Sequence, residues 1–340
     1  MSFKQYSKFK NIDLRSEKEF LKGTIPGSIN IPILTNEEYQ KVGKQYKAKG
    51  QEAATKLGFA LVNDHLKKKR IDLWIDHIEK NHGCYIFCYK GGLRSKIAYD
   101  WLKQQNIAVK RLKGGYKEYR SYIISQYSEL IRCTKSWKVI GGLTGSGKTE
   151  LLNQFDEAID LERIANHRGS AFGKNISEQP SQANFENIIT HKYLNHILPK
   201  IYIEDESRTI GRVALPESWY KKMQSSDLVV LDISTEERVF NISKEYVIEA
   251  LNNFSNGNEL LAQYLLSLEK IKKRLGDELF KNVSGLMINA FKNNKNHEDW
   301  ILKILDKYYD PMYKYKLSMR KKYITHIGDY KSCYEYLKSF

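Results

Sequence analysis

Two stretches of the 340-residue sequence carry residue types and spacings that could do chemistry. In the first, Gly142, Thr144, Gly145, Ser146, Gly147, Lys148 and Thr149 fall on the pattern G-x-x-x-x-G-K-[ST]. Glycines there let successive N–H groups curl into one concavity, and the helix that follows adds positive potential at its N-terminus. Lys148 would meet the terminal phosphates of a ligand, and Thr149 could hold Mg²⁺. In the second stretch, Cys88 is followed by Gly91, Gly92, Arg94 and Ser95. A lone cysteine on a strand is more often an inert hydrophobe. Here a glycine loop, a helix N-terminus and Arg94 all favour a thiolate or a charged sulfur adduct. Cys88 is therefore the candidate nucleophile and Arg94 its electrostatic partner, whereas Cys84, four residues earlier, reads as structural.

Three further groups of residues are candidates. Glu204, Asp205 and Glu206 end the apolar run "IYIEDES", where an acid holding a metal-bound water would sit, and the choice among them is open. Asn166, His167, Arg168 and Ser170 cluster in "NHRGSAFG", a composition suited to an anion or a polar substrate edge, or simply to a well-bonded loop. Residues 311–322 hold Lys314, Lys316, Arg320, Lys321 and Lys322 and no acid, interleaved with Tyr313 and Tyr315. Such cations can meet phosphates while tyrosine rings stack on unpaired bases; the bland reading is a solvated helix face.

These residues need elements to position them. "GCYIFCY" (83–89) reads as a buried strand, "SKIAYDWLKQQN" (95–106) as a helix and "IAVKRLKGG" as strand then turn. "WKVIGGLTGSGKTELLNQF" is strand, glycine loop, helix, and "KIYIEDES" and "SDLVVLDIS" are further strands. Residues 121–136 read as a helical connector. From about 240 the chain becomes helical, with Leu261, Tyr264, Leu265, Leu268, Ile271 and Leu275 on one face. The pattern predicts an α/β protein with parts at 1–130, 131–240 and 241–340, the last packed on the second.

Composition narrows the function. No run approaches the roughly 18 apolar residues of a membrane span, and the first residues lack the apolar core of a signal peptide, so a cytoplasmic protein with no membrane partner is expected. Four cysteines make no disulfide scaffold, and with Cys133 and Cys333 standing apart no zinc site is expected. Fifty-six Lys and Arg against 40 Asp and Glu leave a net charge of +16, which favours polyanionic partners.

The block C-x-x-G-G-x-R-S, with "IDLRSEKEFLKGTIPGSINIP" (12–32) and "LKGGYKEYR" (112–120), resembles the rhodanese-like sulfurtransferases. That resemblance gives Asp13 and Arg15 a supporting role around the active loop, with Thr24 where many relatives have His. A rhodanese unit followed by a phosphate loop is similar to the tRNA 2-selenouridine synthase family. "VGKQYKAKGQEAATKLG" (42–58), "IANHRGSAFG" (164–173), "QPSQANFEN" (179–187), "EDESRTIG" (204–211) and "YYDPMYKYKL" (308–317) match it as well. The resemblance implies a rhodanese-like domain, a P-loop NTPase-like parallel-sheet domain and a helical, basic C-terminal region. It also implies a two-stage exchange of sulfur for selenium at a wobble 2-thiouridine. Geranyl diphosphate would first alkylate the sulfur, and selenium from selenophosphate would then displace the S-geranyl group. Cys88 would carry a perselenide or handle the displaced thiol. No tightly bound cofactor is implied, Mg²⁺ is an option, and the expected partners are the glutamate, lysine and glutamine tRNAs and the selenophosphate-producing enzyme. The alternatives are an ATP-dependent RNA sulfurtransferase and a non-catalytic RNA-binding nucleotide switch.

Overall fold

The computed structural model describes residues 9–132, 135–156, 158–252, 254, 256–293 and 296–339, so Cys133 lies outside the described residues. The chain forms two compact units. One comprises the chain up to Glu129 together with Pro180–Asn195, and the other Leu130–Gln179 with His196–Phe340.

The first unit is built on a parallel sheet of very short strands. They are β1 (Ile12–Asp13), β2 (Ile29–Asn30), β3 (Tyr85–Phe87) and β4 (Lys110–Arg111), in the order β2-β1-β3-β4. Apolar residues at alternate positions feed cores on both faces, as a covered parallel sheet requires. One core gathers Ile12, Ile86, Trp74 and the helix Leu93–Gln104 through Ala98, Trp101 and Leu102. Trp74 and Trp101 stack there with ring centroids 6.2 Å apart. The other core holds Phe87, Leu112, Tyr116, Tyr119 and Ile123, the last three on the helix Gly115–Arg132, so residues 121–132 of the expected connector are helical while Ser136 already belongs to the next strand.

Carboxyl ends of the strands carry the polar residues. Asp13 and Arg15 form a fully buried ion pair at 2.6 Å. Arg15 also donates to the Gly23 carbonyl, and its guanidinium lies 4.1 Å from the centre of the Tyr116 ring. The Thr24 hydroxyl donates to Asp13 at 2.9 Å, so threonine fills its place as a hydrogen-bond donor. The block 179–187 supplies the helix Gln182–Asn195 of this unit. Asn187 donates to the Thr24 carbonyl (2.8 Å) and the Tyr116 hydroxyl (3.2 Å), and Asn184 accepts from the Thr24 N–H (2.9 Å). These asparagines satisfy buried backbone groups beside the Asp13–Arg15 pair.

In the second unit the parallel strands are β5 (Ser136–Gly142), β6 (Lys200–Glu204), β9 (Asp227–Leu231) and β10 (Ile324–Gly328), in the order β10-β9-β5-β6. A small antiparallel hairpin, β7 (Thr209–Ile210) and β8 (Val213–Ala214), follows β6. The helical C-terminal region is as expected: Gly257–Leu275 buries Leu261, Tyr264, Leu268, Ile271 and Leu275. Its chain then returns to the sheet, because β10 alternates a half-buried face with a solvated one and closes the β9 edge. Cys333 packs under it, where burial raises its thiol to about 11 and leaves it inert.

Candidate functional site

The phosphate loop leaves the carboxyl end of β5, which lies between β6 and β9, the end of the sheet at which open α/β sheets bind ligands. Gly145 and Gly147 adopt φ of 82° and 81°, which other residues resist. A Cβ on Gly145 would come within 2.8 Å of the Arg238 carbonyl. Arg238 braces the loop by donating to the Thr144 carbonyl (2.9 Å) while its fork grips Asp310 at 2.9 and 2.5 Å. Asn241 donates to the Gly145 carbonyl at 3.0 Å. Lys148 reaches back to the carbonyls of Gly142 and Leu143 at 3.3 and 3.4 Å.

The loop walls a cavity of about 380 Å³. Thr144, Ser146 and His167 line it, and the hydroxyls of the first two and Nδ1 of the third are buried without a hydrogen-bond partner in the structure. Burial, with Lys270 adding to it, pushes the His167 ring below its usual range, keeping it neutral at physiological pH.

Glu162 and Glu206 line the same cavity, and Glu204 lies behind them. Glu204 is buried and accepts from the Thr149 hydroxyl at 2.9 Å and the Glu162 N–H at 3.3 Å. Burial, then repulsion from Asp160 and Glu206, pushes its carboxyl up to about 8. Burial likewise raises Glu162 and Glu206, with Lys148 pulling both the other way. Of the three acids at 204–206, Glu204 therefore faces the loop threonine and Glu206 lines the cavity. Asp205 instead pairs with Arg320. Among the described residues, no group of three or more His, Cys, Asp or Glu is arranged to hold a metal ion by itself.

A raised carboxyl binds its proton more tightly in the folded chain. Its stabilising contribution is therefore full below the ordinary carboxylate range and is lost as pH climbs towards about 8. Thermal stability of the ligand-free protein should fall between about pH 5 and pH 8, and Glu204→Gln should flatten that fall while keeping an oxygen for Thr149. Melting curves at the two pH values check this; an unchanged slope in the variant would remove Glu204 as a cause.

The loop 167–173 forms another wall. His167, Arg168 and Ser170 line the cavity. Arg168 pairs with Glu245 at 2.7 Å, and Ser170 bonds Tyr246 at 3.0 Å. The Ala171 N–H donates to Tyr309 at 3.1 Å. Tyr246 and Tyr309 lie on two five-residue π-helical turns, Lys244–Ile248 and Leu305–Tyr309, a distortion common at functional sites. Asn166 departs from the sequence expectation. It takes a left-handed conformation (φ 50°) and its side chain ties Ser177, Glu178 and Asn175, so it shapes the loop without lining the cavity.

The basic–tyrosine stretch divides. Arg320 is buried, pairs with Asp205 and donates to the Met223 carbonyl at 2.9 Å, which corrects its assignment to a tRNA surface. Tyr313, half-buried, lines the phosphate cavity with the Lys148 ammonium 5.9 Å from its ring centre. Lys314, Tyr315, Lys316, Lys321 and Lys322 are exposed, and Lys316 also bonds Ser207 at 2.9 Å. Neutralising the four lysines together should reduce the salt dependence of tRNA affinity by up to about 0.7–0.9 per true phosphate contact. Arg320→Ala should instead lower the melting temperature, because it strands Asp205. Affinities at several salt concentrations decide; an unchanged slope in the four-lysine variant would move the tRNA surface elsewhere.

In the first unit, Cys88 follows β3 and is buried. Its thiol donates to the Ser95 hydroxyl at 3.4 Å, and Ser95 donates to the Gly92 carbonyl at 3.1 Å, which seats the sulfur at the first turn of the following helix. Residues 111–117 clip the loop in place: Arg111 donates to Gly91, the Tyr116 N–H to Cys88 and the Lys117 N–H to Tyr89, at 2.8, 3.0 and 2.7 Å. Gly115 has φ 60°, and a Cβ there would fall 2.2 Å from the Cys88 carbonyl. Gly115→Ala should therefore cost about 1–3 kcal/mol from backbone strain alone and displace the Cys88 loop. A melt and the rate at which a thiol reagent modifies Cys88 read the two effects; wild-type values in both would contradict this packing. Arg94 stands between two partners: its fork is held by Glu19 at 2.6 and 3.0 Å, and Cys88 lies close enough to interact with its charge as well. Cys84 is buried in the core and its thiol is pushed up by burial, as a structural residue should be.

A family profile described as the tRNA 2-selenouridine synthase AAA domain matches residues 135–340, and one described as the rhodanese-like domain matches residues 3–122. A protein named tRNA 2-selenouridine synthase from Shewanella denitrificans is 41% identical, over 96% of this chain and 93% of its own. Two proteins of the same name, from Shewanella sp. strains ANA-3 and MR-7, are 41% and 40% identical over 97% of this chain and 94% and 93% of their own. The chain belongs to the tRNA 2-selenouridine synthase family. Both units are thereby accounted for, and no helix among the described residues is long and apolar enough to cross a membrane.

Several residues of this synthase-family site escaped the sequence reading. Arg238 and Asn241 brace the phosphate loop from a helix that shows only an amphipathic pattern, and Glu162 and Glu245 sit outside any motif. Asp310 and Tyr313 lie within the block 308–317, so that matched block was the available signal for a role at the loop.

Proposed function

We propose that this chain replaces the 2-sulfur of wobble 2-thiouridine in tRNA with selenium, by way of an S-geranyl intermediate. Its substrates in this reading are the glutamate, lysine and glutamine tRNAs, in the cytoplasm, with selenophosphate delivered by the enzyme that makes it. In the first stage the thiouridine sulfur attacks C1 of geranyl diphosphate. A C–S bond forms, the C–O bond breaks, diphosphate leaves and the base loses a proton. In the second, water cleaves selenophosphate to phosphate and hydrogen selenide. Selenide attacks C2 of the pyrimidine, the C2–S bond breaks, and geranyl thiolate departs and takes up a proton.

The observation that carries this reading is the union, in one chain that spans its relatives' length, of a cysteine loop and a polar phosphate cavity. Both phosphorus-bearing co-substrates suit a cradle of loop amides with Lys148. Thr149 and Glu204 could hold Mg²⁺ as a two-ligand site completed by phosphate oxygens and water, the usual habit of that ion. Moving selenium from selenophosphate onto the thiol as a perselenide would oxidise it by two electrons, and neither co-substrate supplies an oxidant. The proposal therefore assigns Cys88 to the departing sulfur, as the donor of the proton that geranyl thiolate takes.

The test uses purified protein, 2-thiouridine tRNA and geranyl diphosphate without ATP. Alkylation that proceeds, and that inorganic diphosphate inhibits competitively, supports the reading. An absolute requirement for ATP would overturn it in favour of an ATP-dependent sulfurtransferase.

A further inference from the structure

The long helical segment Asn36–Leu61 contains the block 42–58 that neither loop explains. It breaks at Gly50 (φ 79°) into two arms. Val42 and Tyr46 on the first arm, and Ala54, Thr55 and Phe59 on the second, wall a cavity of about 370 Å³. Another wall comes from the helix that starts at the cysteine loop, through Leu93, Arg94, Ile97 and Trp101, and Ile33 and Leu34 close the rest. Ser95, on the same first turn, is the residue that touches the Cys88 sulfur. The rim leaves large apolar side chains in water: Tyr46 is 57% exposed, Phe59 49% and Leu93 43%. An apolar, ligand-sized hollow with an apolar rim, sharing a helix end with a reactive-type thiol, is built to take an apolar chain.

We infer that this cavity holds the ten-carbon isoprenoid chain of the S-alkylated nucleotide while its sulfur is displaced beside Cys88. The inference rests on the proposed S-geranyl intermediate and deepens it. Of the two co-substrates and the tRNA, only the S-geranyl group presents an apolar chain of this size to the cysteine stage. The two arms joined at Gly50 then have a purpose, since a straight helix could not line two sides of one hollow. The phosphate cavity, by contrast, is lined mostly by polar and charged groups, its carboxylates and Lys148 among them.

Calorimetry with S-methyl-, S-prenyl- and S-geranyl-2-thiouridine tests the site directly in the full chain. Burying each additional carbon should raise affinity by about fourfold, so the geranyl compound should bind on the order of a thousandfold more tightly than the five-carbon one. Thr55→Phe, which fills the hollow, and Phe59→Asp, which charges its rim, should each lose most of that gain. A diazirine-bearing geranyl thioether photolysed with the wild type should label peptides within 42–62 and 93–101. A flat chain-length series, labelling at the apolar cleft lined by Trp300, Ile304 and Tyr309, or variants that bind like the wild type would overturn the inference. Turnover of S-geranylated tRNA with selenophosphate by the wild type is read separately. Chain binding without turnover sinks the proposed function and leaves the site standing, whereas turnover without chain binding does the reverse.

Discussion

Lys148→Ala should slow alkylation of 2-thiouridine tRNA by geranyl diphosphate roughly 30- to 1,000-fold, which corresponds to about 2–4 kcal/mol of transition-state stabilisation. Negative charge grows on the leaving diphosphate as the C–O bond breaks, and Lys148 is the cation at the mouth of the loop. The fold should survive, because the hydrogen bonds of the ammonium are two long ones to carbonyls of its own loop and its contact with the Tyr313 ring is distant at 5.9 Å. Loss of the charge also removes the group that opposes the raised pKa of Glu162 and Glu206, so the variant should take up more protons near neutrality. Single-turnover alkylation rates provide the check. Wild-type rates would mean that the diphosphate binds elsewhere, with Arg168 the next cation in the cavity.

Cys88→Ala should reduce selenium incorporation by about 10²–10⁴-fold, the usual worth of a positioned proton donor, and should let S-geranylated tRNA accumulate. In the proposed reaction the two chemistries rest on different residues, so blocking one should expose the product of the other. Cys84→Ala is the control. It leaves a small hole in a packed core, which should lower the melting temperature while selenation persists. Full selenation by Cys88→Ala would take the thiol out of the mechanism.

Much of the architecture was written locally. Strands such as Val139–Ile140 and Leu228–Leu231 are apolar runs ending at glycine or acid, and the two glycine loops announce themselves by spacing. What escaped depends on long-range pairing. The basic residues of 311–322 look alike in sequence, yet Asp205, over a hundred residues away, draws Arg320 into the interior. Arg94 reads as a partner for Cys88, and nothing local in the chain shows that Glu19, on a different helix, shares it. Residues 180–195 follow the phosphate-loop segment in the chain but fold with the first unit, because Asn184 and Asn187 satisfy backbone and hydroxyl groups there. β10 alternates too weakly to be distinguished from the helices around it, and it becomes a strand only because β9 presents an open edge.

Mass spectrometry of nucleosides from 2-thiouridine tRNA incubated with the protein tests the central claim most directly. The co-substrates are added separately and then together. Geranyl diphosphate alone should give S-geranyl-2-thiouridine, selenophosphate alone should leave 2-thiouridine unchanged, and the two together should give 2-selenouridine. Formation of 2-selenouridine from selenophosphate alone would contradict the two-stage account, and no modified nucleoside under any condition would contradict the function itself.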